Sequence, residues 1–277
     1  MNLIKRIVVA VILIPVVVMI ILKSGDTYNN QYYRVMIMII LSAASFEFIY
    51  SHKKNVGIIN KILTIMALML LVNSDIDYEF CIPMLSLIIM IIITSNFLTQ
   101  APRDFYEKTK LIFFTIIYLG AFGLHFNLLA RIDSFRNYSG NLVLFVIALN
   151  WISDSGAYFT GRLIGKHKLA PVLSPNKTIE GFIGGCLSAV VYAIVYRNYL
   201  LKTIPLSEII LIAFMLSIVC ALGDLCASAI KRATEIKNYS DIIPGHGGIM
   251  DRLDSVLYTI TFTVVYFNLK EKLTVLF

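Results

Sequence analysis

The stretch Glu208–Asp254, EIILIAFMLSIVCALGDLCASAIKRATEIKNYSDIIPGHGGIMDRLD, joins an apolar run of membrane-spanning length to a dense polar cluster. Residues 208–227 are almost wholly apolar, and Asp224 stands inside that run. The next 27 residues, 228–254, contain four acids, four bases, one histidine and three glycines. Because charge next to lipid is costly, such a cluster at the end of an apolar helix predicts a functional site.

The same contrast between apolar helices and short polar segments extends over the whole chain. Its 277 residues are 58% hydrophobic and 15% charged, and the mean hydropathy is +0.80. Apolar stretches of roughly 17–25 residues, the length of a helix across a bilayer, recur throughout. We therefore predict an all-α, polytopic integral membrane helix bundle. It would form a single membrane domain over 1–277, with N-terminal helices in 1–140 and the motif-bearing helices and loops in 141–277.

The hydropathy pattern predicts nine membrane spans, with Glu47 as the main charged exception outside the motif-bearing part. The expected spans are about 7–22, 35–50, 57–73, 80–98, 111–129, 141–160, 181–197, 208–227 and 253–269. The four cysteines stand alone in sequence and show no CxxC or histidine pairing, so we expect neither a disulfide framework nor a cysteine metal site.

The placement of lysine and arginine sets the expected orientation. With the N-terminus in the cytoplasm, 16 of the 24 basic residues fall on the cytoplasmic side, as the positive-inside rule favours. The two long polar loops, 161–180 and 228–252, then share that face, which we expect to carry the active site. The net charge of +7 follows largely from this topology, so we expect no nucleic-acid partner. The expected location is a bacterial inner (plasma) membrane.

Helical spacing brings three carboxylates to two neighbouring helix ends. If the helix over 208–227 continues, Asp224, Ser228 and Lys231 lie on one face at i, i+4 and i+7. At the start of the last span, Asp251 and Asp254 are three residues apart and share a face. Carboxylate oxygens are preferred ligands of Mg²⁺, so these two helix ends could hold one or two such ions.

The segment between these helix ends has the residues expected for binding phosphate. The turn Pro244–Gly248 would present backbone N–H groups at a helix N-terminus, which suits an anion. Basic side chains that could bind phosphate oxygens follow the first helix end and flank the second: Lys231, Arg232 and Arg252. Carboxylates, bases and a glycine turn together indicate phosphoryl-transfer chemistry.

A second motif occupies residues 150–181, NWISDSGAYFTGRLIGKHKLAPVLSPNKTIEG. Lys177 and Thr178 could contact the phosphates of a nucleotide, and Glu180 could orient Lys177. Its glycines, Gly156, Gly161 and Gly165, are expected to permit close helix packing or close approach of a substrate.

These motifs together resemble the signature of the phosphatidate cytidylyltransferases, also called CDP-diacylglycerol synthases. The resemblance rests on SAIKR, four residues, Lys237, then PGHGG and DRLD, and on GDL at 223–225 and the 150–181 motif. One position departs from the family, which usually has aspartate where this chain has Asn238; any charge role at that position is lost or passes to Asp241. The family is a bundle of transmembrane helices, which agrees with the predicted fold.

The resemblance implies a reaction in which CTP and phosphatidic acid, bound at a lipid bilayer, give CDP-diacylglycerol and pyrophosphate. It implies an Mg²⁺ site with a monovalent cation such as K⁺ nearby. The implied metal residues are Asp224 and Asp251, supported by Asp254 and Ser228. The residues implied to neutralise phosphates are Lys231, Arg232 and Arg252, and those implied to shape the turn against a phosphate are His246, Gly247 and Gly248. The implied CTP contacts are Ser174, Lys177 and Thr178, with Asp154 orienting Lys177 or joining the metal shell.

Two other functions remain open at this stage. A related enzyme could use another lipid phosphate as acceptor, and the motifs alone do not distinguish it. An ion-coupled transporter would also carry acids within its spans. However, the polar residues gather toward one face and no two halves show matching interruptions, which favours an enzyme. The pair Gly184-Gly185 could pack helices within one chain or between two, so a homodimer is a further expectation.

Overall fold

The structure, a computed structural model, describes residues 14–22, 31–52, 54–73, 78–99, 102–132, 139–243 and 247–276, and they are predominantly helical. A first helix, α1, covers the described residues 14–22. The helices that follow are α2 (Gln31–Ser51), α3 (Ile58–Val72), α4 (Tyr78–Thr99), α5 (Pro102–Thr115), a π-helical segment (Ile116–Ala121), α6 (Phe122–Ala130), α7 (Ser139–Ile164), α8 (Ile179–Leu200), α9 (Leu206–Ala233) and α10 (Met250–Leu276). Between α7 and α8 lies an antiparallel hairpin of β1 (Lys168–Ala170) and β2 (Ser174–Thr178).

The helical membrane class is confirmed in its main feature. Within the described residues, six helices are long and apolar enough to cross a membrane: Gln31–Ser51, Glu79–Leu98, Pro102–Ala130, Asn141–Ile164, Ile179–Leu200 and Leu206–Ala233. Helix α3 is apolar but has only 15 residues, and α10 carries charged residues at both ends. The first predicted span lies partly outside the described residues, so the count of nine stays a prediction.

Both long polar loops, predicted over 161–180 and 228–252, are shorter than predicted because helices and strands extend into them. The 161–180 loop begins with the last turn of α7 and then forms the β-hairpin, which is an exception to a purely α fold. The 228–252 loop begins with two more turns of α9, which continues to Ala233. Asp224, Ser228 and Lys231 therefore lie on one uninterrupted helix, as their spacing required.

The chain forms two compact units, and each is described by itself. The first comprises the described parts of Gln31–Leu128 and Asn238–Asp251. Its apolar helices are joined by a buried polar network in which the Asn60 amide donates to the Asn96 side chain at 2.8 Å. Asn96 in turn donates to the Thr109 hydroxyl at 3.2 Å. Because each of these buried amides has a partner, the network links α3, α4 and α5 without leaving a polar group desolvated.

The second unit comprises helix 14–22 and the described parts of Leu129–Lys237 and Arg252–Phe277. Helices α7 and α8 pack closely because glycines meet small residues across their interface. The nearest neighbours of a Cβ built at Gly156 belong to Ser188, and those of one built at Gly184 belong to Thr160. Close approach of the two helices brings the residues near the end of α7 against the start of α8.

We expect Gly181→Ala to destabilise the second unit by about 1–3 kcal/mol, as overpacking of a tight interior does. A Cβ at this position would lie 2.7 Å from the backbone oxygen of Ala157 and 3.2 Å from Cα of Gly161. The thermal midpoint of detergent-purified protein measures the effect. Gly57→Ala is the matched control, because a Cβ there meets nothing within 4 Å. Equal midpoints for both variants would contradict this account of the interface.

Candidate functional site

The second unit contains a cavity of about 480 Å³ between α7, α8, α9 and the hairpin, a size typical of small-molecule sites. Four residues predicted from the sequence line it together: Asp154, Lys177, Thr178 and Asp224. Further residues of its lining include Tyr158, Arg162, Asn176, Phe182, Ser217 and Cys220. The cavity therefore joins the 150–181 motif to the acid of the apolar run.

An ion pair between Lys177 on β2 and Asp224 on α9 lies at the wall of this cavity. The side chain of Lys177 is 27% exposed and that of Asp224 is 30% exposed, so solvent and solutes can reach both. Next to Lys177, Thr178 caps α8, because its hydroxyl oxygen accepts a hydrogen bond from the Gly181 N–H at 3.1 Å. This cap fixes the direction in which β2 enters α8, and so fixes the backbone that carries Lys177.

Glu180 binds the two residues just before β1 and not Lys177, so the prediction that it orients Lys177 is wrong. Its carboxylate accepts hydrogen bonds from the backbone N–H groups of Lys166 at 3.0 Å and His167 at 3.2 Å. The His167 ring is also 2.6 Å from the same carboxylate. The hairpin turns the chain back so that position 167 meets the first turn of α8, and Glu180 ties these two parts together.

Asp154 and Asp254 extend the group of charges around Asp224. Asp154 accepts a weak hydrogen bond from the Cys220 thiol at 3.7 Å, and its carboxylate is also subject to the charges of Asp224, Lys177 and Arg252. Asp254, which is buried, lies 3.9 Å from the ammonium of Lys231 and is likewise subject to the charge of Asp224. Two of the carboxylates in this part of the second unit, Asp224 and Asp254, thus each have a lysine ammonium beside them.

The predicted Mg²⁺ site can be tested against these side chains. Ser228 lies beside Asp224, with its hydroxyl 3.5 Å from the carboxylate, so oxygen donors of the kind Mg²⁺ prefers are present. Among the residues that the structure describes, no group of three or more histidine, cysteine, aspartate or glutamate side chains is arranged to hold a metal. Lys177 and Lys231 lie at Asp224 and Asp254 instead. The donor chemistry fits the ion, while the ammonium groups occupy positions that a cation would take.

The structure gives Arg232 a different environment from the predicted phosphate site. Its guanidinium donates to the backbone oxygens of Leu173 and Ile236, each at 3.3 Å. It therefore connects the end of α9 to the turn of the hairpin, next to half-buried Ser174. Arg252 has an exposed side chain at the start of α10.

In the first unit, the carboxylate of Asp251 organises the segment that precedes α10. One of its oxygens accepts hydrogen bonds from the N–H groups of Tyr239 and Gly248, both at 3.0 Å. Gly247 has a φ of +81°, a conformation that favours glycine, and its oxygen accepts from Ile243 N–H at 2.9 Å. Of the predicted phosphate-binding N–H groups, that of Gly248 is thus already used within the chain. His246 lies outside the described residues.

The lining of the cavity also contains a hydrogen-bonded pair, Tyr158 and Arg162, that was not predicted from the sequence. Arg162 donates to the Tyr158 hydroxyl at 2.9 Å, and both line the cavity. They follow Asp154 at i+4 and i+8, which places all three on one side of α7. That helical spacing was the available signal.

Comparisons with known proteins all indicate one family. A model of the cytidylyltransferase family matches residues 4–270. The chain is 37% identical over 181 residues to a phosphatidate cytidylyltransferase of Bacillus subtilis (strain 168), and this match covers 65% of each chain. It is 42% identical over 125 residues to proteins of the same name from Staphylococcus saprophyticus and Haemophilus influenzae, covering 45% and 44% of this chain and 48% and 43% of those proteins. The matched region therefore spans less than two thirds of each relative.

Proposed function

Because the chain belongs to the cytidylyltransferase family, we propose that it is a membrane enzyme that transfers the cytidylyl group of CTP to phosphatidic acid. The products are CDP-diacylglycerol, a precursor for phospholipid biosynthesis, and pyrophosphate. The proposal takes its substrates from the name shared by the relatives in three bacteria. The structural observation that carries it is the cavity with Lys177 and Asp224 in one wall.

The residues of the cavity suit the main difficulty of this reaction, which is to bring two anions together. The phosphate of the lipid is already ionised near neutral pH, so it needs little help from a general base. Lys177 can bind phosphate oxygens of CTP, and Asp224 holds its ammonium in place until they arrive. Arg162, fixed by Tyr158, offers a second cation in the same cavity. Fixed cations also stabilise the charge that develops on the departing pyrophosphate.

We propose that Mg²⁺ binds at Asp224 and Asp254, with Asp154 and Ser228 beside them. When bound, the ion would polarise phosphate oxygens and balance their charge. Lys177 and Lys231 would then move from the carboxylates toward phosphate. The part of Asp251 in this site stays a prediction from the sequence. A monovalent cation such as K⁺ also stays a prediction, as do the phosphate contacts of Ser174, Arg232, His246, Gly247 and Arg252.

The proposed setting is a bacterial inner membrane, with nine spans, the N-terminus in the cytoplasm and the active site on the cytoplasmic side. The basic residues support this orientation. Phosphatidic acid would enter sideways from the cytoplasmic leaflet, and CTP from the cytoplasm. Gly185 packs against α7 within the chain, since a Cβ there would lie 2.9 Å from the backbone oxygen of Ser153. A homodimer through Gly184 and Gly185 stays a prediction.

The decisive experiment is turnover by the purified protein. Detergent-solubilised protein, CTP labelled in its α-phosphate and phosphatidic acid should give labelled CDP-diacylglycerol and free pyrophosphate. Addition of EDTA should stop the reaction, and excess Mg²⁺ should restore it. Gly57→Ala, remote in sequence from every motif, is the control for preparation and handling.

Other outcomes of the same assay would identify a different function. Label that appears only on another lipid phosphate, such as an ether lipid or polyprenyl phosphate, would replace phosphatidic acid as the acceptor. No nucleotide turnover, together with cation flux in proteoliposomes, would show an ion-coupled transporter and overturn the proposal.

A further inference from the structure

We propose that Glu47 in α2 is a positioning residue for the reaction, because its carboxylate holds both ends of the 238–250 segment that leads into α10. This inference rests on the proposed function and adds to it a residue outside every motif discussed above. Glu47 would act through Gly248 and Asp251, which belong to the same compact unit.

Glu47 is a charged residue buried in an apolar helix, with 2% of its surface exposed. One carboxylate oxygen accepts the N–H of Met250 at 2.7 Å. The other accepts the hydroxyl of Ser240. One side chain therefore binds the segment near its beginning and at its end.

The contact with Met250 is made at the first residue of α10. The first N–H groups of a helix have no partner inside the helix, and the helix dipole favours negative charge at this end. A carboxylate supplied from α2 meets both requirements. Glu47 thus fixes where α10 begins, and the next residue along α10 is Asp251.

Two further contacts hold the segment against the same part of α2. The ring of Phe48, which is fully buried, lies with its centroid 5.4 Å from that of Tyr239. Gly248 lies so close to Glu47 that a methyl group in its place would overlap the carboxylate. On its other side, the N–H of Gly248 donates to Asp251. Gly248 is therefore held between two carboxylates.

Each oxygen of the buried Glu47 side chain therefore has a hydrogen-bond donor in the 238–250 segment. The 238–250 segment contains the glycine turn that the sequence predicts to bind phosphate, and the two oxygens of Glu47 hold Ser240 before that turn and Met250 after it. A reacting group displaced by about 1 Å can lower the rate about a hundredfold. Glu47 need not touch a substrate to control turnover.

The test compares Glu47→Ala with Glu47→Gln in the labelled CTP assay. The glutamine amide can accept from Met250 and donate to Ser240, whose hydroxyl can accept as well as donate. We expect Glu47→Ala to lower kcat about a hundredfold with each KM little changed, and Glu47→Gln to restore most of the rate. Glu107→Ala is the matched control, since Glu107 pairs with exposed Lys110 three residues along α5.

Hydrogen exchange gives a second readout that does not depend on activity. In Glu47→Ala the amide of Met250 should exchange faster, while the amides of α8 keep their protection. Ser240→Ala removes only one of the two contacts and should lower kcat about two- to tenfold. If Glu47→Ala does not fold, Ser240→Ala tests the proposal in its place.

Several results would overturn the proposal. These are a folded Glu47→Ala protein with wild-type kcat, a change confined to KM, a Glu47→Gln protein as slow as Glu47→Ala, or unchanged exchange at Met250. A wild-type protein that forms no CDP-diacylglycerol would instead refute the proposed function, and the exchange measurement would still decide the contact.

Discussion

Asp224→Asn should lower the rate of CDP-diacylglycerol formation about a hundredfold or more, as loss of a fixed charge at a reacting phosphate does. The substitution keeps the shape of the side chain but removes the charge that pairs with Lys177. It also removes an oxygen ligand from the proposed Mg²⁺ site. The initial rate of label transfer from CTP to phosphatidic acid, at saturating substrate, measures the effect.

The Mg²⁺ dependence of this variant separates two roles of Asp224. If Asp224 holds the metal, Asp224→Asn should need more Mg²⁺ for half-maximal rate, whereas Lys177→Ala should not. If it only orients Lys177, the two variants should respond equally to Mg²⁺. Asp104→Asn, at an exposed acid of α5 outside every motif, is the control and should keep full activity. Near-normal turnover by folded Asp224→Asn would contradict both roles.

Lys177→Ala should raise the KM for CTP about tenfold to a hundredfold and leave the KM for phosphatidic acid within about twofold. A hydrogen bond to a charged group is worth about 1.5–3 kcal/mol, and each 1.4 kcal/mol is about a factor of ten in affinity. Lys177 lines the cavity, so it can reach a phosphate there. Initial rates over a matrix of CTP and lipid concentrations give both constants.

Lys168→Ala is the matched control for this variant. Lys168 is exposed on β1 of the same hairpin, and it does not line the described cavity. It should keep both KM values. A larger rise in the KM for the lipid than for CTP in Lys177→Ala would move Lys177 to the lipid site.

The features predicted well from the sequence depend on local regularity. Apolar length predicts the helices that could span a membrane, and the intervals between Asp224, Ser228 and Lys231 predict one face of α9 because every residue between them is helical. The hairpin was not predicted, since β1 and β2 are short and are specified by pairing with each other. Its position is further set by Glu180 and Thr178 at the start of α8.

The candidate site was predicted in its residue types but not in its pairings. Lys177 meets Asp224 only because the hairpin and α9 pack against the same cavity. The sequence predicts Arg232 as a phosphate ligand but does not predict its hydrogen bond to the oxygen of Leu173, which is 59 residues earlier. Glu47 appeared only as a charge in an apolar span, and nothing near it in sequence reveals Ser240 or Met250. Such pairings depend on tertiary contacts, so no local pattern contains them.

The two hydrogen bonds of Glu47 also bear on how the protein is made. Their donors lie 193 and 203 residues after it in the chain, and synthesis proceeds from the N-terminus. Helix α2 is therefore synthesised long before Ser240 and Met250 exist, and until then Glu47 lacks both of these donors. The surroundings of Glu47 are thus completed only when residues 240–250 have been made, so a chain that ends before Ser240 would leave this buried carboxylate without either of these two donors.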